Sequence, residues 1–252
     1  MTPTLVRIGN FLFHHRNRIF PVFMIGGVLT FRPSFPLNSY IADVWLDLAG
    51  LAVCIVGQAL RVTTIGFDYI RRGGKNEQIW ADKLVQGGMF AHSRNPLYLG
   101  NILMFVGVVM ILHSPVAYAI GIPLVLFTYI CIIFAEEQFL GGKFGADYAE
   151  YCSRVNRLWP DLRGFGESIK DMEFNWARVI LKEHGTTFAW ILSAVVLRSW
   201  CLYRELGDAA FREIYILAAA MIPIVIAYGV VRYLKRTRKI SDKPRVSVEA
   251  PA

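Results

Sequence analysis

The sequence predicts an all-α integral membrane protein of about six transmembrane helices with an additional interfacial helix, and three observations carry that prediction. Hydrophobic residues make up 55% of the 252 positions, and the mean hydropathy is positive. Charged residues are only 18% of the chain, and they gather between long apolar runs instead of spreading over them. Several of those runs approach the roughly 17–25 residues that a helix needs to cross a bilayer. Lipid is therefore the solvent that this composition fits.

The net charge is +8. In a soluble chain that excess would suggest nucleic acid. Here the basic residues sit in the loops between apolar runs, which fits anionic lipid headgroups better and argues against a nucleic-acid partner. The four cysteines, Cys54, Cys131, Cys152 and Cys201, form no CxxC pair, and free thiols are expected instead of disulfides or a zinc site. The basic start and first apolar stretch lack a small-residue cleavage site, so no cleavable signal peptide is expected.

Taken in order, Ile19–Phe31 is apolar but short for a span. Ile41–Val62 is long enough, with Asp43 and Asp47 near its start. Pro96–Leu112 and Pro115–Ala135 follow, separated only by His113 and Ser114, so these two helices must form a hairpin. Thr186–Tyr203 and Ile214–Leu234 complete the set, and Pro123 and Pro223 are expected to kink their spans, as membrane helices tolerate. Residues 168–182 place Ile169, Met172, Trp176, Val179 and Ile180 at helical spacing with Lys170, Arg178 and Lys182 interleaved. That pattern predicts a helix lying in the headgroup layer, or else one packed on a cytoplasmic subdomain. The chain divides into 1–163, which carries the motifs, 164–234, the interfacial helix with a C-terminal hairpin, and 235–252, a basic tail expected to be disordered.

Orientation follows from the basic residues. Arg7, Arg16 and Arg18 lie in the N-terminal arm, and Arg71, Arg72, Lys75, Lys83 and Arg94 in the loop 63–95. The loop 136–185 and the tail carry many more, whereas the opposite side has little beyond Arg32, Arg204 and Arg212. The positive-inside rule then puts both termini and both large loops in the cytoplasm.

The chemistry gathers at that face. Asn95 before Pro96 reads as a helix start, because the residue before proline leaves the α region, Asn is a good N-cap and Pro suits the first helical position. Open N–H groups there favour an anion, and Arg94 adds a fork for a carboxylate or phosphate. Glu136 and Glu137 directly follow the fourth apolar run, where paired carboxylates are costly unless solvated or paired. The hairpin forces Arg94–Tyr98 and Glu136–Glu137 to the same end, a combination suited to a zwitterionic ligand. Gly87 and Gly88 permit a tight turn in the segment leading into this motif.

As a set, Leu60-Arg61, Leu84-Val85 with Gly88 and Phe90, the Arg94-Asn95-Pro96-Leu97-Tyr98-Leu99-Gly100 run, the hairpin, Glu136-Glu137 and Phe144-Gly145-Ala146-Asp147-Tyr148-Ala149-Glu150-Tyr151 resemble a known family over residues 57–160. It is the membrane-embedded methyltransferases that include isoprenylcysteine carboxyl methyltransferases and phosphatidylethanolamine N-methyltransferases. The resemblance implies S-adenosylmethionine as donor at a cytoplasmic cofactor-binding region lined by Lys83, Leu84, Val85, Gly88, Phe90, Arg94, Asn95, Pro96, Leu97, Tyr98, Glu136 and Glu137. A lipophilic methyl acceptor is expected to enter from the bilayer and meet the donor near Tyr98 and Glu137, which with Arg94 are the candidate catalytic residues. No metal is required, since a sulfonium methyl is already activated and alignment is the main task.

Two departures shape the expectation. Asn95 stands where histidine is commoner in the family, and Ile132 stands where the eukaryotic carboxyl methyltransferases carry a substrate-binding arginine. The leading expectation is a methyltransferase acting on a membrane-borne lipid or isoprenoid-like acceptor, with a phospholipid amine as one candidate. Carboxyl methylation of a prenylated cysteine is an alternative, and a non-enzymatic transporter or scaffold is an alternative of another class.

Overall fold

The computed structural model describes residues 3–30, 39–67, 72–75, 78–81 and 83–240. Helices dominate: α1 (Pro3–Thr30), α2 (Tyr40–Phe67), α3 (Pro96–Met110), α4 (Pro115–Arg154), the short α5 (Phe165–Ile169), α6 (Trp176–Leu206) and α7 (Phe211–Arg236). A small antiparallel hairpin, β1 (Arg72–Lys75) with β2 (Gln78–Ala81), interrupts them, with Arg72 opposite Ala81 and Lys75 opposite Gln78. The all-α membrane class is thus observed, with this hairpin as an unpredicted addition.

Among the described residues, three helical stretches are long and apolar enough to cross a membrane: Ile41–Phe67, Pro115–Arg154 and Trp176–Arg236. The third is itself a hairpin. A tight turn at Gly207–Ala210 separates α6 from α7, Phe188 stacks on Tyr228, and Lys235 donates to the Leu181 carbonyl. The shorter α3 spans 15 residues.

The first expected span begins earlier than the hydropathy placed it. The polar stretch from His14 to Arg18 is helical, so the N-terminal arm is the first half of α1. Packing against α4 explains this, because Phe13 is buried and Gly9 lies against the Cys131 backbone, giving the helix tertiary support that its composition does not supply.

The expected helix over 168–182 does not form as one piece. α5 ends at Ile169, residues 170–175 are non-helical, and Trp176–Lys182 are the first turns of α6, where the Asn175 side chain accepts from the Arg178 N–H. A cap of this kind starts a new helix where amphipathic spacing alone would have run through it. Arg32, Arg71, Lys243 and Arg245 lie outside the described residues, as does most of the basic tail.

The α3–α4 hairpin is present as expected. His113 adopts φ 50°, and Ser114 caps α4 by accepting from the Ala117 N–H. α2 runs antiparallel to α3 at very close range, through Gly57 facing Gly100 and Gly50 facing Gly107. A Cβ on Gly100 would lie 2.5 Å from Arg61 Cγ and 2.8 Å from the Gly57 carbonyl, so only glycine permits this crossing.

Two polar ties fix α6 to α2. Near one end, Asp43 and Asp47 receive Arg198 at 2.6 and 2.9 Å, and His113 sits between the same two carboxylates at 2.5 and 3.0 Å. Near the other, Arg61 meets Glu183 at 2.6 Å. Asp43 and Arg61 are 18 residues apart on α2, which is roughly 27 Å of helix.

Candidate active site at the start of helix α3

Residues 88–95 turn sharply before α3, beginning with Gly88 at φ 55° and a single 3-10 turn over Gly88–Ala91. This segment is stitched to the last turns of α4 and to the chain just beyond it. The Tyr151 hydroxyl donates to the Phe90 carbonyl at 2.7 Å, the Arg94 N–H to the Asn156 carbonyl at 2.9 Å, and Ser93 Oγ to the Leu158 carbonyl at 2.8 Å. The Asp161 N–H donates to the His92 carbonyl at 3.1 Å, while the His92 ring meets the Asp161 carbonyl and Ser168 Oγ. Backbone groups at a membrane boundary need such partners, and here two loops supply them to each other.

Asn95 occupies the N-cap position, but its side chain does not cap the helix. Its Nδ2 donates instead to the Arg157 carbonyl at 3.0 Å. The expected cap is therefore corrected to a tether: Asn95 holds the irregular 156–161 segment in place, and Pro96 provides the helix-starting φ.

The hairpin brings the predicted groups together. Arg94 Nη1 lies 3.5 Å from Glu137 Oε1. Arg157, whose partner the sequence did not reveal, grips the same carboxylate, with Nε 3.1 Å from both oxygens and Nη2 3.0 Å from Oε2. Its guanidinium also lies 5.0 Å from the Phe134 ring centroid. Burial alone would lower the Arg94 pKa, but the Glu137 carboxylate and the Cys152 sulfur outweigh it and hold the group above its ordinary value. Hydrogen bonds from Arg163 hold the Asp161 carboxyl down at about 2, so the turn after this segment stays ion-paired at working pH.

Of the remaining predicted residues, Val85, Gly88, Phe90, Asn95, Pro96 and Glu136 are buried, Leu97 and Tyr98 are half-buried, and Lys83 is exposed. Tyr98 leans on Tyr129, with ring centroids 5.8 Å apart, beside Ile102, Val125 and Leu158. Leu84 packs with Ala81, Leu140, Tyr148 and Tyr151 under the far half of α4. The arrangement is one buried carboxylate, Glu137, gripped by two guanidiniums, with the buried Glu136 next to it in sequence and aromatic and aliphatic side chains nearby. It can hold a ligand that bears both charges and an apolar body.

Comparison with known proteins agrees with this chemistry. The pattern of the phospholipid methyltransferase family matches residues 46–147. The protein-S-isoprenylcysteine O-methyltransferase of Tribolium castaneum is 29% identical over 126 residues, covering 48% of this chain and 44% of that protein. Protein-S-isoprenylcysteine O-methyltransferase B of Arabidopsis thaliana is 32% identical over 117 residues, covering 44% and 57%. The Homo sapiens protein-S-isoprenylcysteine O-methyltransferase is 28% identical over 124 residues, covering 48% and 43%. The chain thus spans about half the length of these relatives. No solved structure matches.

The fold and site therefore define a helical membrane protein with an ionic site at a helix hairpin's end. The family resemblance read from its motifs, to the membrane-embedded isoprenylcysteine and phospholipid methyltransferases, is borne out over residues 46–147. Arg157 and Glu183 lie beyond that segment. Arg157 was detectable only as part of the matching Val155–Pro160 motif, and Glu183 carries no local signal beyond being a charge close before an apolar run.

Proposed function

We propose that this chain is an S-adenosylmethionine-dependent methyltransferase whose acceptor is a lipophilic molecule reached from the bilayer. The observation that carries the reading is the meeting of Arg94 and Glu137 at the start of α3, both inside the region that matches a methyltransferase family, with Arg157 from just beyond that region gripping the same carboxylate. The donor's chemistry fits this set. Its carboxylate suits Arg94 and the exposed half of Arg157, and its ammonium suits Glu136 and Glu137. The adenine suits the apolar side chains of Leu84, Val85, Phe90 and Tyr98, with Lys83 at the outer rim and Gly88, Asn95, Pro96 and Leu97 shaping the backbone. The bound donor would supply a methyl group already activated on sulfur. What the chain contributes is alignment of that methyl with the acceptor and exclusion of water. For an amine acceptor, we assign Glu137 the part of ion-pair partner or proton acceptor. Both termini are then cytoplasmic, by the distribution of basic residues.

The experiment is calorimetric titration of the purified protein in lipid with S-adenosylhomocysteine, followed by transfer of labelled methyl into a whole lipid extract. Binding by the wild type and its loss in Glu136→Ala are expected. No binding, together with unlabelled extract, would leave a transporter or scaffold as the better account.

A second reading, methylation of the carboxylate of a prenylated cysteine, is favoured by the names of the relatives. Against it stands Ile132, fully buried at the position where those enzymes are expected to carry arginine. Parallel assays with a prenylcysteine and a phosphatidylethanolamine separate the two: label entering only the first establishes carboxyl transfer.

A further inference from the structure

The C-terminal hairpin, which lies beyond the segment shared with the methyltransferase family, sends one carboxylate back toward the candidate site. Glu183 on α6 is 3% exposed. It takes both arms of the Arg61 fork, Nε to Oε2 at 2.8 Å and Nη2 to Oε1 at 2.6 Å. The third nitrogen of the same guanidinium reaches α3, donating to Asn101 Oδ1 at 2.7 Å and to the Leu97 carbonyl at 3.3 Å. Gln58 secures the carboxylate from α2 at 3.1 Å, and its own oxygen accepts from Thr187 and from the Trp190 indole on α6. Gly100 leaves the room through which the Arg61 side chain passes.

A planar guanidinium with its donors committed on two sides is a rigid spacer. Glu183 sets the plane of that guanidinium, and the guanidinium sets the height of the first turn of α3, the turn that carries Leu97 and Tyr98. We infer that Glu183 is a positioning residue for the donor site, acting through Arg61 on the Leu97 carbonyl, so that the C-terminal hairpin is a working part of the enzyme. This rests on the donor-binding reading of Leu97 and Tyr98 above. Positioning effects of this kind reach about a hundredfold in rate when a bound group shifts by an ångström.

The test uses the full chain in lipid nanodiscs, with S-adenosylhomocysteine as the probe. Arg61→Lys keeps the charge beside Glu183 but loses the fork, and the double variant Arg61→Met/Glu183→Leu removes both charges so that neither is left buried alone. Glu183→Gln is measured beside them. Affinity for the probe should fall about tenfold or more in all three, with unfolding temperatures of Arg61→Lys and the double variant near that of the wild type. In turnover, the loss should fall on KM for the donor more than on kcat. Wild-type affinity in a folded Arg61→Lys or double variant would overturn the inference, since a purely structural ion pair is replaced by apolar side chains without harm to the site. A wild-type protein that binds no probe would instead sink the donor-binding reading itself.

Discussion

Glu137 is flanked by two guanidiniums of unequal exposure: the Arg94 side chain is 12% exposed and that of Arg157 46%. Hydrogen bonds to a buried carboxylate contribute about 1.5–3 kcal/mol, and the wetter partner belongs at the lower end. Arg157→Ala should therefore leave a folded protein whose methyl transfer falls about tenfold, with Glu137 still held by Arg94. Glu137→Gln should cost more, because it removes the charge that both arginines face. Initial rates on the same lipid extract compare the two, and an Arg157→Ala rate equal to wild type would show that Arg94 alone orients the carboxylate. The proximity of Arg94 to Glu137 was legible in the sequence, since a two-residue turn between helices leaves no other geometry. That they touch each other, with Arg157 as a third member, was not legible, because it depends on how the irregular segment after α4 folds back.

At the scale of the element, the 40 residues of α4 are two helices joined at a kink, where Gly145 adopts the non-helical φ 51° and ψ −120°. Side chains rarely tolerate that backbone, and forcing one costs on the order of 1–3 kcal/mol. The bend lets the distal half carry Tyr148 and Tyr151 back over the 81–90 segment, where Tyr151 bonds the Phe90 carbonyl. Gly145→Val should lower the unfolding temperature and weaken donor binding together. Gly142→Ala is the matched control: that glycine has ordinary helical backbone and open space around it. It should be neutral or stabilising by about 0.5–1 kcal/mol. Equal unfolding temperatures for Gly145→Val and wild type, read by scanning fluorimetry in detergent, would rule out a required bend. The sequence marked Phe144-Gly145 as part of a motif, but a glycine's sign of φ is not written in its neighbours.

For the whole molecule, α6 is pinned to α2 at both ends, by Arg198 on Asp43 and Asp47 and by Glu183 on Arg61. Removing one partner of a buried pair leaves an uncompensated charge and typically costs about 3–5 kcal/mol. Arg198→Ala should accordingly destabilise the protein by that order, and Asp43→Asn added to it should recover part of the loss. Thermal unfolding of the single and double variants measures this, and a single variant as stable as wild type would mean that His113 alone satisfies both carboxylates. Hydropathy found the two C-terminal spans but not their ties to α2, because it assigns a cost to Asp43, Asp47 and Glu183 without seeing their partners.

The sequence by itself determined the solvent, the helical class, the hairpin of α3 and α4 and the family resemblance of the segment 57–160. Each depends on local composition, periodicity or contiguous spacing, which the chain carries in its order. Tertiary structure alone decided that α1 extends back to Pro3, that Asn95 tethers instead of capping, that the helix expected over 168–182 breaks at Asn175, and that Arg157 and Glu183 join the site's surroundings. Those outcomes are set by which buried donors and charges find partners across distant segments. Arg61 and Glu183, separated by 122 positions along the chain, become partners only once α6 packs on α2.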